Sequence, residues 1–360
     1  MSTILILNIG STSFKYEFFN AGNLASMHKG EFKIAEHNKD DWEENIKHLF
    51  RNMVREIGNL DELVAIGHRV VHGGDKFKTT RKITAQEIFE LEQCNSLAPL
   101  HNPYNLAGIK AALEYFPEVA NYAVFDTAFF STLPTAAKIY PIPYQYFEEF
   151  GIKKYGFHGI SHHYALEESA RLIKKPVAEI NVITVHLGGG CSVAAVRQGQ
   201  PIDTSMGYTP LEGLMMQTRS GDLDPGVIMQ ILNNLSVTHP TADKLLEKLN
   251  QVLNFESGLK GIAGKDDYLE LLQAVEWGEE QAVLAFEMFT NRIKKYIGAY
   301  LFLLDHVDAI AFTGKIGAGN PVTRKKICAK MNLLKDIPIL SIEPHEELAM
   351  AREVTEKLNF

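Results

Sequence analysis

The chain has 360 residues, 46% of them hydrophobic and 22% charged, with a formal net charge of −8. That length exceeds what one core usually supports and predicts two domains of roughly 150 to 200 residues each. The acidic balance argues against a broad nucleic-acid-binding face, and no apolar run approaches the roughly eighteen residues of a membrane span.

The cysteines are three, Cys94, Cys191 and Cys328. They are too scattered for a disulfide framework or a zinc knuckle and suit a reducing cytosol. The apolar N-terminus lacks the basic region of a secretory signal. The expectation is therefore a cytoplasmic protein without nucleic-acid or membrane partners.

In chain order, residues 4–9 form a buried-strand pattern that runs into Gly10, Ser11, Thr12 and Ser13. Residues 14–18 then alternate apolar and polar side chains, which predicts a half-buried strand and hence a hairpin. Its tip is either an inert turn or a phosphate cradle of backbone amides, serines and Lys15. The island Gly67-His68-Arg69-Val70-Val71-His72-Gly73-Gly74 follows another apolar strand. A tight loop, Leu97 to Pro103, holds Leu100 and His101 and opens a helix that Pro117 closes. Asp126 stands at the end of the apolar run 122–125.

The island from Tyr155 to His163 includes Phe157, His158 and His162 and leads into a helix ending near Lys174. His158 and His162 would share a helix face, but no third ligand in a recognisable pattern supports zinc. Residues 181–187 repeat the strand pattern and end in Gly188, Gly189 and Gly190. This second copy begins about half a chain after the first and suggests two similar halves. Residues 203–226, rich in Gly, Pro and Asp, are a loop anchored by the largely apolar segment 211–216. Arg219 there either clasps Asp222 or Asp224 in a turn or recognises a phosphoryl or carboxylate group. Residues 279–304 are a long amphipathic helix, and the strand 309–313 runs into the third glycine junction, Gly314 to Gly319. Strands alternating with helices give an α/β class.

The islands NIGSTSFK, HRVVHGG, LAPLHNP, VFDTAF, YGFHGISH, HLGGG, DTSMGYTPLEGLMMQTRSGDLDP and EPHEELAMARE together resemble the acetate kinase family over almost the whole chain. The resemblance implies two similar domains of the sugar kinase, heat-shock chaperone and actin (ribonuclease H-like) type, with an interdomain active-site cleft. The implied boundaries are 1–127 plus 348–360 for the first domain and 128–347 for the second. It implies reversible phosphoryl transfer between ATP and acetate, giving acetyl phosphate, with Mg2+ (or Mn2+) and a homodimer.

Residue by residue, it assigns Asp126, His158 and Arg219 to catalysis. Arg69, Val71, Leu100, His101, Phe157 and Pro210 match acyl-substrate positions. Ser11, Ser13, Lys15, His186, Leu187, Gly188, Gly189, Gly190, Asp267, Gly314, Lys315, Ile316, Gly317 and Gly319 match nucleotide or phosphate positions. Asn8 and Glu346 match the metal site, with Glu347 the alternative to Glu346.

On the acyl side Lys153 stands where the family usually has Arg. The other departures gather on the nucleotide side: Gly189 stands where the family has Asn, and Leu269 lies where an adenine-covering Arg is expected. Lys315, Ala318 and Gly319 replace Gly, Glu and Asn. These changes predict weak base selectivity. They also raise two alternatives: pyrophosphate or another phosphate donor, and a non-catalytic nucleotide-binding protein of the superfamily.

Overall fold

The computed structural model describes residues 2–10, 13–34, 42–57, 60, 62–237, 241–329 and 334–358. Ser11 therefore lies outside the described residues. The chain divides into two compact units, one of Met1–Ser131, His158–Tyr164 and His345–Phe360, the other of Thr132–Phe157 and Ala165–Pro344. The short segment His158–Tyr164, placed by the sequence in the second half, clusters with the first unit.

The first unit begins with β1 (Thr3–Ile9), β2 (Ser13–Asn20), β3 (Ser26–Lys33), α1 (Trp42–Ile57), β4 (Leu63–Val70) and β5 (Arg81–Lys82). It continues with α2 (Ala85–Gln93), α3 (Asn102–Tyr115) and β6 (Ala120–Phe125). Next come α4 (Thr135–Lys138), α5 (Gln145–Phe150), α6 (Gly159–Ile173), β7 (Val182–Leu187), β8 (Cys191–Arg197) and β9 (Gln200–Thr204). After them stand α7 (Pro225–Ser236), α8 (Ala242–Phe255), α9 (Gly258–Ala263), α10 (Tyr268–Glu276) and α11 (Glu280–Leu304). The chain closes with β10 (Ala309–Thr313), α12 (Gly314–Gly317), α13 (Pro321–Cys328), β11 (Ile339–Ser341) and α14 (Glu346–Lys357).

The first sheet has the order β3-β2-β1-β4-β6-β5 and the second β11-β10-β7-β8-β9. In each, a leading strand pairs antiparallel with its hairpin partner and parallel with a later strand: β1 with β2 and β4, β7 with β8 and β10. The two-fold repetition expected from the strand–glycine motif is thus present as a repeated strand order.

β1 is buried on both faces. Leu5, Leu7 and Ile9 join Phe14, Tyr16, Phe18, Ile46, Phe50 and Ala111 in one core cluster, against α1 and α3. Ile4 and Ile6 join Phe19, Ala65, Val124, Met350 and Val354 in another, against α14. Near-continuous hydrophobicity in β1 follows from that double coverage, as in any strand with parallel pairing and helices on both sides.

The same coverage corrects one expectation. β2 was predicted to be half-buried, yet Glu17 is only 3% exposed, because α14 lies on the face that the local alternation left to solvent. The third glycine junction also differs: β10 passes into the helical turn α12 rather than a loop. Gly314 takes φ +82°, and a Cβ there would lie 2.3 Å from the Leu187 carbonyl oxygen, so only glycine lets the turn pack on the end of β7.

Candidate active site

In the first unit the C-terminal ends of the parallel neighbours β1, β4 and β6 bring together Asn8, Arg69 and Asp126. Such strand ends are where open α/β sheets bind ligands. Arg69 donates through Nη2 to Asp126 Oδ2 at 2.7 Å and through Nε to both carboxylate oxygens at 3.2 and 3.3 Å. Its remaining terminal nitrogen, Nη1, donates to Asn8 Oδ1 at 3.3 Å and stands 3.5 Å from Glu346 Oε2. The first residues of α14 complete the cluster. Glu346 accepts from the Ser161 hydroxyl, and Glu347 accepts from Asn8 Nδ2 at 3.2 Å. Glu347, the alternative in the sequence reading, is thus the glutamate that touches Asn8.

Electrostatics follow from burial. Burial raises the Asp126 carboxyl above its ordinary range, and the Arg69 guanidinium pulls it back. For Arg69, burial favours the neutral form, but Asp126, Glu346 and Glu347 more than offset it and push its pKa up. Arg69 is accordingly a fixed cation whose bidentate fork is held by Asp126.

Backbone restraints hold the cluster in place. Asn105, a polar residue on the buried face of α3, receives the Val71 N–H at 3.1 Å and donates to the Ile9 carbonyl at 2.6 Å. Asn102 accepts from His72 N–H and donates to the His72 and Cys94 carbonyls. His158 adopts φ +58°, an uncommon conformation for a residue with a side chain. The next residue, Gly159, donates its N–H to the Asp126 carbonyl at 2.8 Å, where a Cβ would approach to 2.2 Å. His158 and Asp126 are therefore locked to each other through the backbone. Strained φ at such a place accords with function.

Of the other first-unit candidates, Val71 is buried, Leu100 is 41% exposed in the turn before α3, and His101 is the residue preceding that helix. Ser13 and Lys15 open β2, and Lys15 Nζ is 3.9 Å from Glu31.

In the second unit the loop carrying Arg219 is pinned from several sides. Lys154 donates to the Thr204 carbonyl at 2.8 Å and lies 3.4 Å from Glu212 and 3.6 Å from Asp203. Tyr140 donates to Glu212 and accepts from Tyr208 N–H. The turn-clasp reading of Arg219 fails, because both aspartates are otherwise engaged. Asp222 accepts from Gly213 N–H and Tyr296 hydroxyl, each at 2.7 Å, and Asp224 caps α7. Among the described residues Arg219 forms no ion pair. It reaches only the Pro210 carbonyl at 3.4 Å and Met216 Sδ at 3.8 Å, and burial pushes its pKa down. A half-buried arginine held without a carboxylate is electrostatically unsatisfied, which is the condition for binding an anion.

Nearby, His186 and Leu187 end β7, and Gly188 donates to the Gly190 carbonyl at 3.0 Å. Gly189 takes the Gln217 N–H on its carbonyl, and a Cβ there would lie 2.8 Å from Gln217 Oε1. Ile316 and Gly317 are buried in α12, while Lys315 and Gly319 are exposed. Lys153 lies over the Tyr155 ring, 5.2 Å from its centroid. Phe157 is buried and Pro210 half-buried. Asp267 caps α10 by accepting from Leu269 and Glu270 N–H, so one of its oxygens serves the helix. Leu269 is 66% exposed.

Comparison with known proteins decides the family. The model of the acetokinase family matches residues 18–348. The chain belongs to the acetokinase family. An acetate kinase of Helicobacter acinonychis is 44% identical over 355 residues, covering 92% of this chain and 87% of that protein. Among solved structures, a propionate kinase from Francisella tularensis has a TM-score of 0.87 at 35% identity, covering 98% of this chain and 99% of its own. An acetate kinase from Porphyromonas gingivalis has a TM-score of 0.86 at 31% identity, covering 99% and 100%. These relatives are named as kinases, which fits the acetate kinase reading rather than a non-catalytic protein.

Sequence reasoning missed Ser161, Asn102, Asn105 and Glu17 as supports of this site. The signal for the asparagines was present: two amides at i and i+3 on an otherwise apolar helix face.

Proposed function

We propose that the protein is an acetate kinase, transferring the terminal phosphoryl group of ATP to acetate and running reversibly. The observation that carries this reading is the Asn8–Arg69–Asp126–Glu346 cluster at the strand ends of the first unit, in a chain of the acetokinase family.

Acetate, with a carboxyl pKa of roughly 4 to 5, is already ionised at neutral pH and needs no general base. Asp126 accordingly orients Arg69 rather than accepting a proton, and Arg69 supplies the positive charge for the acyl carboxylate. The family resemblance assigns His158 of the first unit and Arg219 of the second, each by itself, to hydrogen bonds with the transferring group, whose equatorial oxygens carry the spreading negative charge. The family resemblance assigns Val71 and Leu100 of the first unit, and Phe157 and Pro210 of the second, to the acyl group; all four are apolar, and propionate is expected to be a poorer substrate than acetate. The glycines of the β7–β8 turn and α12 take the donor phosphates, with Ser13 and Lys15 assigned to phosphate in the first unit.

The donor set fits a magnesium ion. Asn8, Glu346 and Glu347 offer hard oxygens, although among the described residues no group of three His, Cys, Asp or Glu could hold a metal alone. Mg2+ typically takes one or two carboxylates and completes its shell with water and substrate phosphates. When bound, it would neutralise charge on the donor phosphates.

A homodimer is also proposed. α7 leaves Val227 and Met229 exposed, at 45% and 65%, while Ile228, Ile231, Leu232 and Leu235 are half-buried, with α8 packed alongside. Such an apolar face suits a self-complementary contact. The three cysteines are free, consistent with a cytoplasmic setting.

A hydroxamate assay for acetyl phosphate, with acetate, ATP and Mg2+, tests the activity. Product with acetate exceeding that with butyrate is expected, and absence of product with every donor would reject it. Met229→Asp is expected to lower the mass seen by sedimentation.

A further inference from the structure

Glu17 is the one buried carboxylate on the face of β2 that packs beneath α14. Lys15 and Glu17 share that side of the strand with Phe19, which belongs to the α14 core cluster. Burying a carboxylate among apolar groups is costly unless it is hydrogen-bonded. Here it is. Ser26 donates its hydroxyl to Oε1 at 2.5 Å, and His345 Nε2 stands 3.2 Å from Oε2 and 3.4 Å from Oε1. The His345 ring also packs near Phe19, with centroids 6.0 Å apart.

His345 is the residue that starts α14, and its carbonyl accepts the Ala349 N–H at 3.1 Å. The next two residues are Glu346 and Glu347, which reach Ser161, Arg69 and Asn8. Asn8 itself stands on β1, whose neighbour in the hairpin carries Glu17: Glu17 pairs with Ile6 and Lys15 with Asn8. The hairpin thus meets the first turn of α14 at two points, Glu17–His345 and Asn8–Glu347. Glu346, held by Ser161 and Arg69, adds further contacts on the same turn, and Glu17–His345 fixes it one residue earlier, where the helix starts.

We propose that Glu17 and His345 are positioning residues, a buried hydrogen-bonded pair that aims Glu346 and Glu347 at the divalent-cation site. The proposal rests on the assignment of those glutamates to the metal. Glu17 and His345 bond to each other and to Ser26, not to Asn8, Arg69 or Asp126. Their effect passes through the orientation of α14. Partners that orient a metal-binding group typically change metal affinity 10- to 100-fold when removed.

The test is Mn2+ binding to the full chain, followed by electron paramagnetic resonance without turnover, alongside steady-state kinetics. Glu17→Ala and His345→Ala are each expected to weaken Mn2+ binding by about tenfold. The Mg2+ concentration for half-maximal activity should rise by a similar factor, while KM for acetate stays within twofold. The double variant is expected to be no weaker than the worse single variant, because one contact is lost in all three. Glu17→Gln, which keeps a hydrogen-bonding oxygen and its shape, is expected to recover most of the affinity. His345 is partly exposed, so His345→Ala provides a folded variant even where Glu17→Ala unfolds, checked by circular dichroism.

Unchanged Mn2+ binding in folded His345→Ala overturns the proposal, and so does additive loss in the double variant. Glu346→Gln and Glu347→Gln separate the two readings. If they also leave Mn2+ binding intact, the metal assignment itself has failed. If they weaken it while His345→Ala does not, only the positioning role has failed.

Discussion

Arg69 occupies a position where removal of one side chain affects the stability of the fold. Its fork satisfies Asp126, which is only 2% exposed, so Arg69→Ala would leave a buried carboxylate without its cation. Breaking a buried pair in this way costs about 3 to 5 kcal/mol, whereas replacing both members is much less harmful. Urea denaturation is expected to show Arg69→Ala clearly destabilised and Arg69→Met/Asp126→Asn closer to wild type. Equal loss in the two would mean that Asp126 does not depend on Arg69 for its burial. Arg219 is different, because it has no carboxylate partner among the described residues to leave stranded. Arg219→Ala should lower kcat by about 100-fold or more, the scale for a donor to charge that develops in the transition state. KM for acetate should move only a few-fold, as measured by initial rates at saturating ATP. A large KM effect with kcat preserved would assign Arg219 to ground-state binding instead.

Elements show where local pattern was sufficient and where it was not. The strands at residues 4–9, 181–187 and 309–313 and the helix at 280–304 were readable because their apolar periodicity is set by neighbours on both sides of each segment. Asp126 was legible as a strand-end carboxylate because the apolar run before it marks β6, and the structure places it there beside Arg69. Glu17 was misjudged because the helix that covers it begins 329 residues later in the chain, a distance no alternation rule spans. Asn105 and Asn102 were passed over for the converse reason: in α3 an amide reads as a mild defect until the loop it binds is known. Asn105→Ala would strand the Val71 N–H and the Ile9 carbonyl, both buried. The expected loss is about 2 to 6 kcal/mol, from a cost of roughly 1 to 3 kcal/mol for each of the two unsatisfied groups. Thermal unfolding would show it as a lowered Tm. Asn105→Asp, which keeps the acceptor, should restore part of it.

Across the whole molecule the native state carries a built-in sensitivity to acid. His68 is fully enclosed, with Nε2 2.7 Å from Asn121 Oδ1, and burial drives its pKa from 6.5 down to about 4, with Asn121 opposing that shift. Between those two values the unfolded chain binds a proton that the folded chain refuses, so stability falls as pH falls through that window. The contribution is on the order of 2 kcal/mol by pH 5 and about 3 kcal/mol below pH 4. Urea unfolding at pH 7 and pH 5 should show a smaller pH effect in His68→Gln than in wild type, and identical slopes would count against it. One further consequence comes from α14, whose Met350, Ala351 and Val354 close a core with β1, β4 and β6. A ribosome delivers those strands early and this helix after every other element described. Until that helix emerges, the first sheet waits with part of one face uncovered, Ile160 of α6 joining the same core beforehand. Glu346 and Glu347 arrive with the same helix, so an emerging chain cannot assemble its carboxylate cluster before its founding sheet is sealed.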